Sequence, residues 1–396
     1  MIGKTHSTKS RDVRWHLGHL DALRGIAIMG VVLVHSSLAG LSPAQFTGTV
    51  WKVAFFGQRG VQLFFVVSAF TLFLSLTNRK HEKHPTRNFY LRRFFRIAPL
   101  FYVCTGLTLI LMRSVAGPPL DIALSMLFLN GFSAHTVLHG AAGSWSIADE
   151  AIFYTILPLL YRWIRALRTS LYGLLLTGTT CYFISHLLAR DQSPYLAEFY
   201  TFFSFIVEFP VFLLGIAAFF LWQEFDQFTK TDPERRRLLS ACLLVLLFLA
   251  FLAELPSNNY KLWAWSTLCA TLLLALFLHP WRLLVNRFTI YLGKISFSIY
   301  LLHFYTVNRV RLLLPALATA PFPLRFATTR VLLNFALTLA VTCPIATLSW
   351  LWIEEPGIKL GRRLIAHLEN RAGSSSGLAT PLEAVVSVSN SPDAQF

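Results

Sequence analysis

One apolar stretch of the chain, residues 21–41, carries two side chains suited to chemistry, an arginine near its start and a histidine deep inside. Arg24 and His35 are eleven positions apart. In an α-helix this is close to three turns, so both project from one face, about 16 Å apart along the axis. An ionisable side chain inside a long apolar segment usually faces a polar cavity, so His35 is a candidate functional residue. The alternative is a histidine that only bonds a neighbouring helix.

A second candidate group is the arginine cluster of the sequence RRFFRIAP. Arg93 and Arg96 are three positions apart and Arg92 and Arg96 four, so a helix would gather their guanidinium groups on one side. Arginine binds phosphate oxygens through two parallel hydrogen bonds, so this cluster suits a nucleotide-bearing cofactor drawn from the cytosol. Anchoring to anionic lipid is the alternative, and the composition does not separate the two.

The sequence GSWSIADEAIFYTILPLL places two acids, Asp149 and Glu150, at the head of an apolar helix, directly after Trp145 and Ser146. Acidic residues at a helix start complement the helix dipole, which is the structural explanation. A carboxylate near a membrane interface could equally orient an imidazole or bind an acceptor hydroxyl. The block is therefore a second candidate for catalytic chemistry.

Later polar residues stand on two further apolar stretches. The sequence GKISFSIYLLHF puts Tyr300 and His303 at helical spacing, and we interpret both as packing and hydrogen-bonding residues. The spacing assigns no role to Glu354, in WIEEPG. His135 and His139 are four positions apart without an obvious third ligand, so no metal site is expected. The five cysteines lie in apolar runs without CxxC spacing and are interpreted as packing residues.

The elements that must position these residues are membrane helices. Of the 396 residues, 55% are hydrophobic and 14% charged, and the mean hydropathy is +0.56. This composition indicates an all-α polytopic membrane protein rather than a soluble domain. The net charge of +16 could suggest a nucleic-acid partner, but the basic residues form short clusters between apolar runs. That arrangement is the positive-inside pattern, so the lipid bilayer is the expected partner and nucleic acid is not.

Hydropathy predicts a bundle of about ten transmembrane helices. The predicted spans are 21–41, 58–77, 97–112, 145–163, 171–188, 199–222, 238–254, 261–278, 289–314 and 329–353. Basic connections such as NRKHEKHPTRNFYLRRFFR, KTDPERRR and KLGRR alternate so that both termini are expected in the cytoplasm. The predicted organisation is a cytoplasmic tail (1–20), a transmembrane domain (21–356) and a cytoplasmic tail (357–396) that is disordered from 371.

Six blocks in this order resemble the membrane acyltransferase-3 family of O-acyltransferases: LDALRGIAIMGVVLVH, GVQLFFVVSAF, RRFFRIAP, SWSIADEAIFYTILP, GKISFSIYLLH and IEEP. The resemblance spans Leu20 to Pro356. It implies transfer of an acyl group, commonly acetyl, from cytoplasmic acyl-CoA to a hydroxyl of a carbohydrate or other glycoconjugate acceptor. Modification of cell-surface polysaccharide in the bacterial inner (plasma) membrane is the expected setting.

The resemblance also implies roles for individual residues, residue by residue. Four groups of residues match motif positions of the family: Arg24 with His35, Arg93 with Arg96, the block of Trp145, Ser146 and Glu150, and the ending with Glu354 and Pro356. Three positions depart from the family pattern: Gln62 where Asp is frequent, Ala69 where Gly is usual, and Ala151 where a second acid often follows. Glu150 is therefore the acid of this block that is expected to take part in the chemistry.

The expected mechanism uses His35 and Glu150 as catalytic residues and arginines as the acyl-CoA site. Arg24, Arg93 and Arg96 would hold the CoA phosphates, His35 would deprotonate the acceptor hydroxyl, and Glu150 would orient His35. Trp145, Ser146 and Glu354 are expected to support the substrate or the structure. An acyl-histidine intermediate is an alternative route. The rival function is a proton-coupled secondary transporter of an anionic solute, which predicts inverted repeats that the sequence does not display.

Overall fold

A computed structural model of the chain describes residues 5–40, 53–112, 117–190, 192–254, 262–310, 312 and 327–376. Within these ranges the chain forms helices and no strand, as the composition predicts. The α-helices are α1 Thr5–Gly40, α2 Gly60–Asn78, α3 Pro85–Leu111, α4 Pro119–Met126, α5 Ser144–Trp163, α6 Leu167–Ala189, α7 Pro194–Glu198, α8 Phe205–Thr229, α9 Pro233–Glu254, α10 Leu262–Leu278, α11 Arg287–Lys294, α12 Ser296–Val310, α13 Ala327–Ser349 and α14 Glu355–Ser376. Two π-helical turns, Phe199–Phe203 and Trp350–Glu354, precede α8 and α14.

The protein is a multi-pass membrane protein. In the described part of the chain, seven helical stretches are long and apolar enough to cross a membrane: Gly18–Ala39, Val53–Asn78, Pro85–Leu111, Leu167–Ala189, Pro194–Thr229, Pro233–Ala253 and Thr328–Asn370. The expected count of about ten spans is therefore not confirmed.

Three predicted spans are missing from these seven, each for a visible reason. Helix α5 has adjacent carboxyl groups near its start. Helix α10 has 17 described residues, at the lower end of the range of about 17–25 residues for a transmembrane helix. The predicted span 289–314 is broken after Lys294 into α11 and α12. At the other end of the domain, α14 continues to Ser376 and overlaps the predicted tail at 371–376, while 377–396 lies outside the described residues.

Helix α1 is central to the bundle. It packs against α2, α11, α12 and α13, while α8 packs against α2, α6 and α10. The core between α2, α8 and α10 is aromatic: Phe70 lies edge-to-face against Phe277 at 4.7 Å between ring centroids, and Phe73 packs against Phe219 at 5.5 Å. All four rings are fully buried. This packing fixes α2, which contributes residues to both of the cavities described below.

Two glycines allow α1 and α11 to approach each other at backbone distance. A methyl group built on Gly25 would overlap the carbonyl oxygen of Thr289, and one built on Gly293 would overlap the carbonyl oxygen of Asp21. Small residues at membrane helix interfaces permit such close backbone contact. Since Arg24 lies next to Gly25, this contact also fixes the position of the Arg24 backbone.

We expect Gly293→Ala to lower the free energy of unfolding by about 1–3 kcal/mol, because an added methyl group overpacks a backbone contact that has no room for it. The matched control is Gly173→Ala on α6, where an added methyl group meets no heavy atom within 4 Å. That change should leave stability unchanged or raise it, since alanine favours the helix. Thermal unfolding in detergent measures both, and equal midpoints for the two variants would contradict the interface.

Candidate active site

Two adjoining cavities in the described part of the bundle contain most of the predicted site residues. The arginine pocket has a volume of about 90 Å³, and its polar lining consists of Arg24, Ser68, Arg93, Arg96, Ser146, Glu150, Tyr154, Ser296 and Tyr300. The histidine chamber has a volume of about 1200 Å³, and its polar and aromatic lining includes His35, Gln58, Trp145, Tyr182, Ser185, His186, Glu198, Thr201, Phe202, Phe203, Trp263, Tyr300 and Phe304. Val61 and Tyr300 line both cavities.

The two cavities are stacked along the bundle axis. Helix α1 gives Arg24 to the pocket and, almost three turns later, His35 to the chamber. Helix α5 reaches the chamber first, with Trp145, and the pocket afterwards, with Glu150. The opposite order on α1 and α5 is expected of antiparallel helices that pass the same two cavities. Tyr300 of α12 stands at the level where the cavities meet.

His35 contacts a second histidine that is fully buried. His35 Nδ1 lies 2.8 Å from the carbonyl oxygen of Val31, and His303 Nδ1 lies 3.1 Å from that of Ile299. Since carbonyl oxygens only accept, both Nδ1 atoms carry a proton. His303 Nε2 lies 3.3 Å from His35 Nδ1, so it is a second acceptor for the proton on His35 Nδ1. The hydrogen-bond network thus assigns one tautomer to both rings and leaves His35 Nε2 unprotonated, as a general base requires.

The arginine pocket carries an excess of positive charge. Three arginines and one carboxylate line it, and Arg24 also makes an ion pair with Asp21 at 3.3 Å on the same helix. Glu150 accepts a hydrogen bond from Ser68. Tyr154 interacts with both Glu150 and Arg93. The sequence-predicted arginines Arg24, Arg93 and Arg96 are therefore brought together, and their combined charge suits an anionic group such as phosphate.

Arg92, the third arginine of the RRFFRIAP block, does not line the pocket. Its two terminal nitrogens lie 3.0 Å from the carboxylate of Glu82, in the connection between α2 and α3. Burial tends to raise the pKa of Glu82, but hydrogen bonds from Arg92, Arg79 and Asn88 outweigh it and lower the pKa below its ordinary value. Asn88 also donates to Glu369 of α14 at 2.7 Å. This network is structural, which separates Arg92 from its neighbours in the same block.

The remaining predicted residues lie around the junction of the cavities. Trp145 packs edge-to-face against Phe203 at 5.1 Å in the chamber. Ser146 lies 2.6 Å from the Tyr300 hydroxyl, which donates to the carbonyl oxygen of Gly143 at 3.1 Å. Glu354 is buried behind the pocket, where it accepts a hydrogen bond from Ser298 and interacts with Arg96. Ser146 thus fixes Tyr300, and Glu354 supports an arginine.

The expected contact between Glu150 and His35 is not found. Glu150 lines the arginine pocket, since it lies more than a turn beyond Trp145 on α5, and His35 instead contacts His303. Sequence reasoning gave His303 and Tyr300 packing and hydrogen-bonding roles only. Their spacing on one helix face was the available signal, but the sequence does not reveal that this face meets α1.

The neutral residue at position 62 has a clear partner. Gln62 Nε2 donates to Glu208 Oε1 at 2.7 Å, and both side chains are fully buried. An aspartate at position 62 would put two carboxylates together, which is costly in an apolar interior unless one is protonated. The departure from the family pattern is therefore matched by an acid on α8.

The histidines considered as metal ligands form a smaller cluster. His139 Nδ1 lies 2.6 Å from the carboxylate of Asp121 on α4, and His135 Nε2 lies 3.9 Å from the same oxygen. Asp121 is a partner that the sequence analysis did not find. Within the described ranges, no group of three or more His, Cys, Asp or Glu side chains has a geometry that could hold a metal ion.

Comparisons with known proteins identify relatives of this bundle. Two proteins named O-acetyltransferase OatA, from Staphylococcus aureus strains NCTC 8325 and COL, are each 23% identical over 402 residues, covering 90% of this chain and 60% of the relative. The protein SAS0844 of strain MSSA476 is 24% identical over 343 residues, covering 76% of this chain and 52% of the relative. The chain thus spans little more than half the length of these curated relatives. No solved structure gives a significant match.

A family model also matches most of the chain. The model describes an acyltransferase domain, acyltransferase-3, and it matches residues 17–353. Every residue that lines the arginine pocket or the histidine chamber lies inside this stretch. The match agrees with the resemblance carried by the six sequence blocks. The chain therefore belongs to the acyltransferase-3 family and contains its acyltransferase domain.

Proposed function

We propose that the protein transfers an acyl group, in the simplest case acetyl, from cytoplasmic acyl-CoA to a hydroxyl of a carbohydrate or glycoconjugate, as part of cell-surface polysaccharide modification. The observation that carries this proposal is the stacking of an arginine-lined pocket on a histidine-lined chamber, with Val61 and Tyr300 shared between them. A donor bound on one side and an acceptor bound on the other would meet at that level.

The donor side is supported by the charge of the arginine pocket. Arg24, Arg93 and Arg96 face one carboxylate, and guanidinium groups bind phosphate oxygens with two parallel donors. The small volume of the pocket fits part of an acyl-CoA molecule, its phosphates or its pantetheine arm, with the adenosine outside. The acyl thioester would then reach Tyr300 and the chamber.

The acceptor side is supported by the lining of the histidine chamber. Its aromatic side chains, among them Trp145 and Trp263, offer flat apolar surfaces, and Gln58, Ser185 and Glu198 offer hydrogen-bonding groups. This combination fits a sugar ring, which has apolar faces and a rim of hydroxyls. The name O-acetyltransferase of the OatA relatives supports oxygen as the accepting atom.

In this mechanism His35 is the general base and His303 positions it. His35 Nε2 takes the proton of the acceptor hydroxyl while its oxygen attacks the thioester carbonyl carbon. The carbon–sulfur bond then breaks, and the thiolate of CoA takes the proton from the imidazolium. His303 Nε2 and the Val31 carbonyl hold the Nδ1 proton of His35 throughout. In the two-step alternative, the same Nε2 atom accepts the acyl group first. Glu150 would act on the donor side, near the arginines.

The direct test of the proposal is an acyl-transfer assay with purified protein in lipid nanodiscs. The donor is acetyl-CoA with a labelled acetyl group, and a panel of glycans serves as acceptors. We expect label on an acceptor oxygen as an ester, which mild base hydrolyses to labelled acetate and the free hydroxyl. Acid quenching at early times detects labelled protein if an acyl-histidine forms. Absence of transfer to every acceptor, with acyl-CoA left intact by folded protein, would count against the function.

The orientation required by a cytoplasmic donor gives a separate prediction. Reporter fusions after Lys83, Arg236 and Arg363 should all report the cytoplasm, because each follows or lies within a strongly basic segment. The arginine pocket then opens toward the side from which CoA is supplied. An extracytoplasmic signal at Lys83 in an active fusion protein would contradict this path for the donor.

A further inference from the structure

A third cavity, which we call the leucine groove, opens on the flank of the bundle. It has a volume of about 440 Å³ and lies between α6, α8 and α10, where its lining includes Leu171, Leu175, Leu214, Trp263 and Thr267. None of the described residues that line it carries a charged side chain. Leu175 is 70% exposed, so the groove faces the surroundings of the bundle rather than its core. In a membrane, those surroundings are hydrocarbon.

The leucine groove is continuous with the histidine chamber. Tyr182 and Trp263 line both of them. Along α6 the groove residues come first, from Leu171 to Thr179, and the chamber residues Ser185 and His186 come after Tyr182. From Leu171 to Tyr182 the helix rises about 16 Å. The groove therefore leads away from the chamber and past the middle of α6, a helix that is long enough to cross the membrane.

We propose that the leucine groove binds the hydrocarbon chain of a lipid-carried acceptor, whose head group enters the histidine chamber sideways from the bilayer. This inference rests on the proposed function, which puts the acceptor in the chamber. A lipid whose head group lies at one end of α6 extends its chain toward the bilayer midplane, and the groove runs in that same direction. Leucine side chains make up much of the groove lining, which suits a hydrocarbon chain better than a sugar ring with its rim of hydroxyls.

The groove selects by shape, because its surroundings are as apolar as its lining. Moving a hydrocarbon chain from lipid into the groove removes no apolar surface from water, so packing contacts and position must provide the preference. The chain would thereby hold the head group at a fixed depth beside His35. A tethered acceptor is presented to the base at a high effective concentration, which is the benefit of such a site.

Gly178 keeps the groove connected to the chamber. It is buried on α6, and a methyl group added there would lie 3.0 Å from the ring of Trp263. A larger side chain would push Trp263 into the groove or the chamber. Gly173, one and a half turns earlier on the same helix, has no heavy atom within 4 Å of an added methyl group. The two glycines make a matched pair for testing the groove.

Photolabelling in nanodiscs tests the groove without requiring turnover. The probe is a hexadecyl glucoside with a diazirine in the middle of its chain, and adducts are mapped by mass spectrometry. We expect adducts on the groove segments of α6 and α10, competition by unlabelled hexadecyl glucoside but not by methyl glucoside, and loss of these adducts in Gly178→Leu. Gly173→Leu should retain them. Leu175→Trp, which fills the groove from the lipid side, should lose them if Gly178→Leu does not fold.

Some outcomes would overturn the groove. Adducts that are spread evenly over α6 and the lipid-facing helix α9, or that survive equally in Gly178→Leu and Gly173→Leu, indicate ordinary boundary lipid. Equal labelling by a phospholipid with the same diazirine chain indicates the same. In the transfer assay, the KM for hexadecyl glucoside should rise in Leu175→Trp, because Leu175 lines the groove and not the chamber, and the KM for methyl glucoside should not. Transfer to both glucosides with no effect of chain length would contradict lipid binding in the groove and leave the proposed function intact. If neither glucoside is acylated, that result counts against the proposed function alone.

Discussion

His35→Ala should lower acyl transfer about 10²- to 10⁴-fold, the usual contribution of a general base. The protein should remain folded, because the His35 side chain is only partly buried and lines a cavity rather than a packed core. Initial rates with labelled acetyl-CoA measure the loss, and thermal unfolding in detergent checks the fold. Near-normal transfer by a well-folded variant would remove His35 from the mechanism.

His303→Asn tests the tautomer assignment with the same assay. An amide oxygen can still accept from His35 Nδ1, whereas the methyl group of His303→Ala cannot. We therefore expect the turnover number of His303→Asn to lie between those of wild type and His303→Ala, with the KM for acyl-CoA unchanged in both. A KM effect without a change in turnover number would place His303 in donor binding and contradict a positioning role.

Replacing Arg93 or Arg96 with alanine should weaken acyl-CoA binding about 10- to 100-fold, since a hydrogen bond to a charged group contributes about 1.5–3 kcal/mol. Arg93→Lys should fall between wild type and alanine, because lysine keeps the charge and loses the planar pair of donors. Higher salt should weaken binding too, as partly exposed charges are screened over about 8–10 Å. Calorimetry with purified protein in detergent measures the affinity for acyl-CoA of the three variants and of the wild type at higher salt.

Arg92→Ala is the matched control, because Arg92 belongs to the same block but pairs with Glu82. It should leave the affinity for acyl-CoA unchanged. If folded wild-type protein bound no CoA, or if Arg92→Ala and Arg93→Ala bound it equally, the assignment of the donor site would fail. The alternative of an anion transporter, in which the arginines bind another solute, would then gain support.

Helical periodicity predicted much of the candidate site. The three-turn spacing of Arg24 and His35 correctly indicated that one helix face carries both, and the spacing of Arg93 and Arg96 indicated a shared side. Helical spacing could not predict the pairing of Arg92 with Glu82, because this pairing depends on the path of the connection between α2 and α3. The contact of His35 with His303 joins residues 268 positions apart and depends on which helices are neighbours.

The fold was predictable to a similar extent. Within the described ranges every predicted span coincides with one or two helices, because hydropathy reports the burial of apolar side chains in lipid or core. Hydropathy does not report continuity, so it joined α11 and α12 into one span across the break at Ile295.

The shared wall at Val61 and Tyr300 has an electrical consequence. Where cavities that can admit water approach each other from the two ends of a bundle, the voltage across the bilayer falls over a short distance, at about 2.3 kcal/mol per elementary charge for each 100 mV. Tyr300, whose hydroxyl donates to the carbonyl oxygen of Gly143 and lies 2.6 Å from Ser146 Oγ, is fixed at this wall. In the proposed transfer the acyl group that crosses this level is neutral, so the membrane potential neither drives nor opposes its crossing.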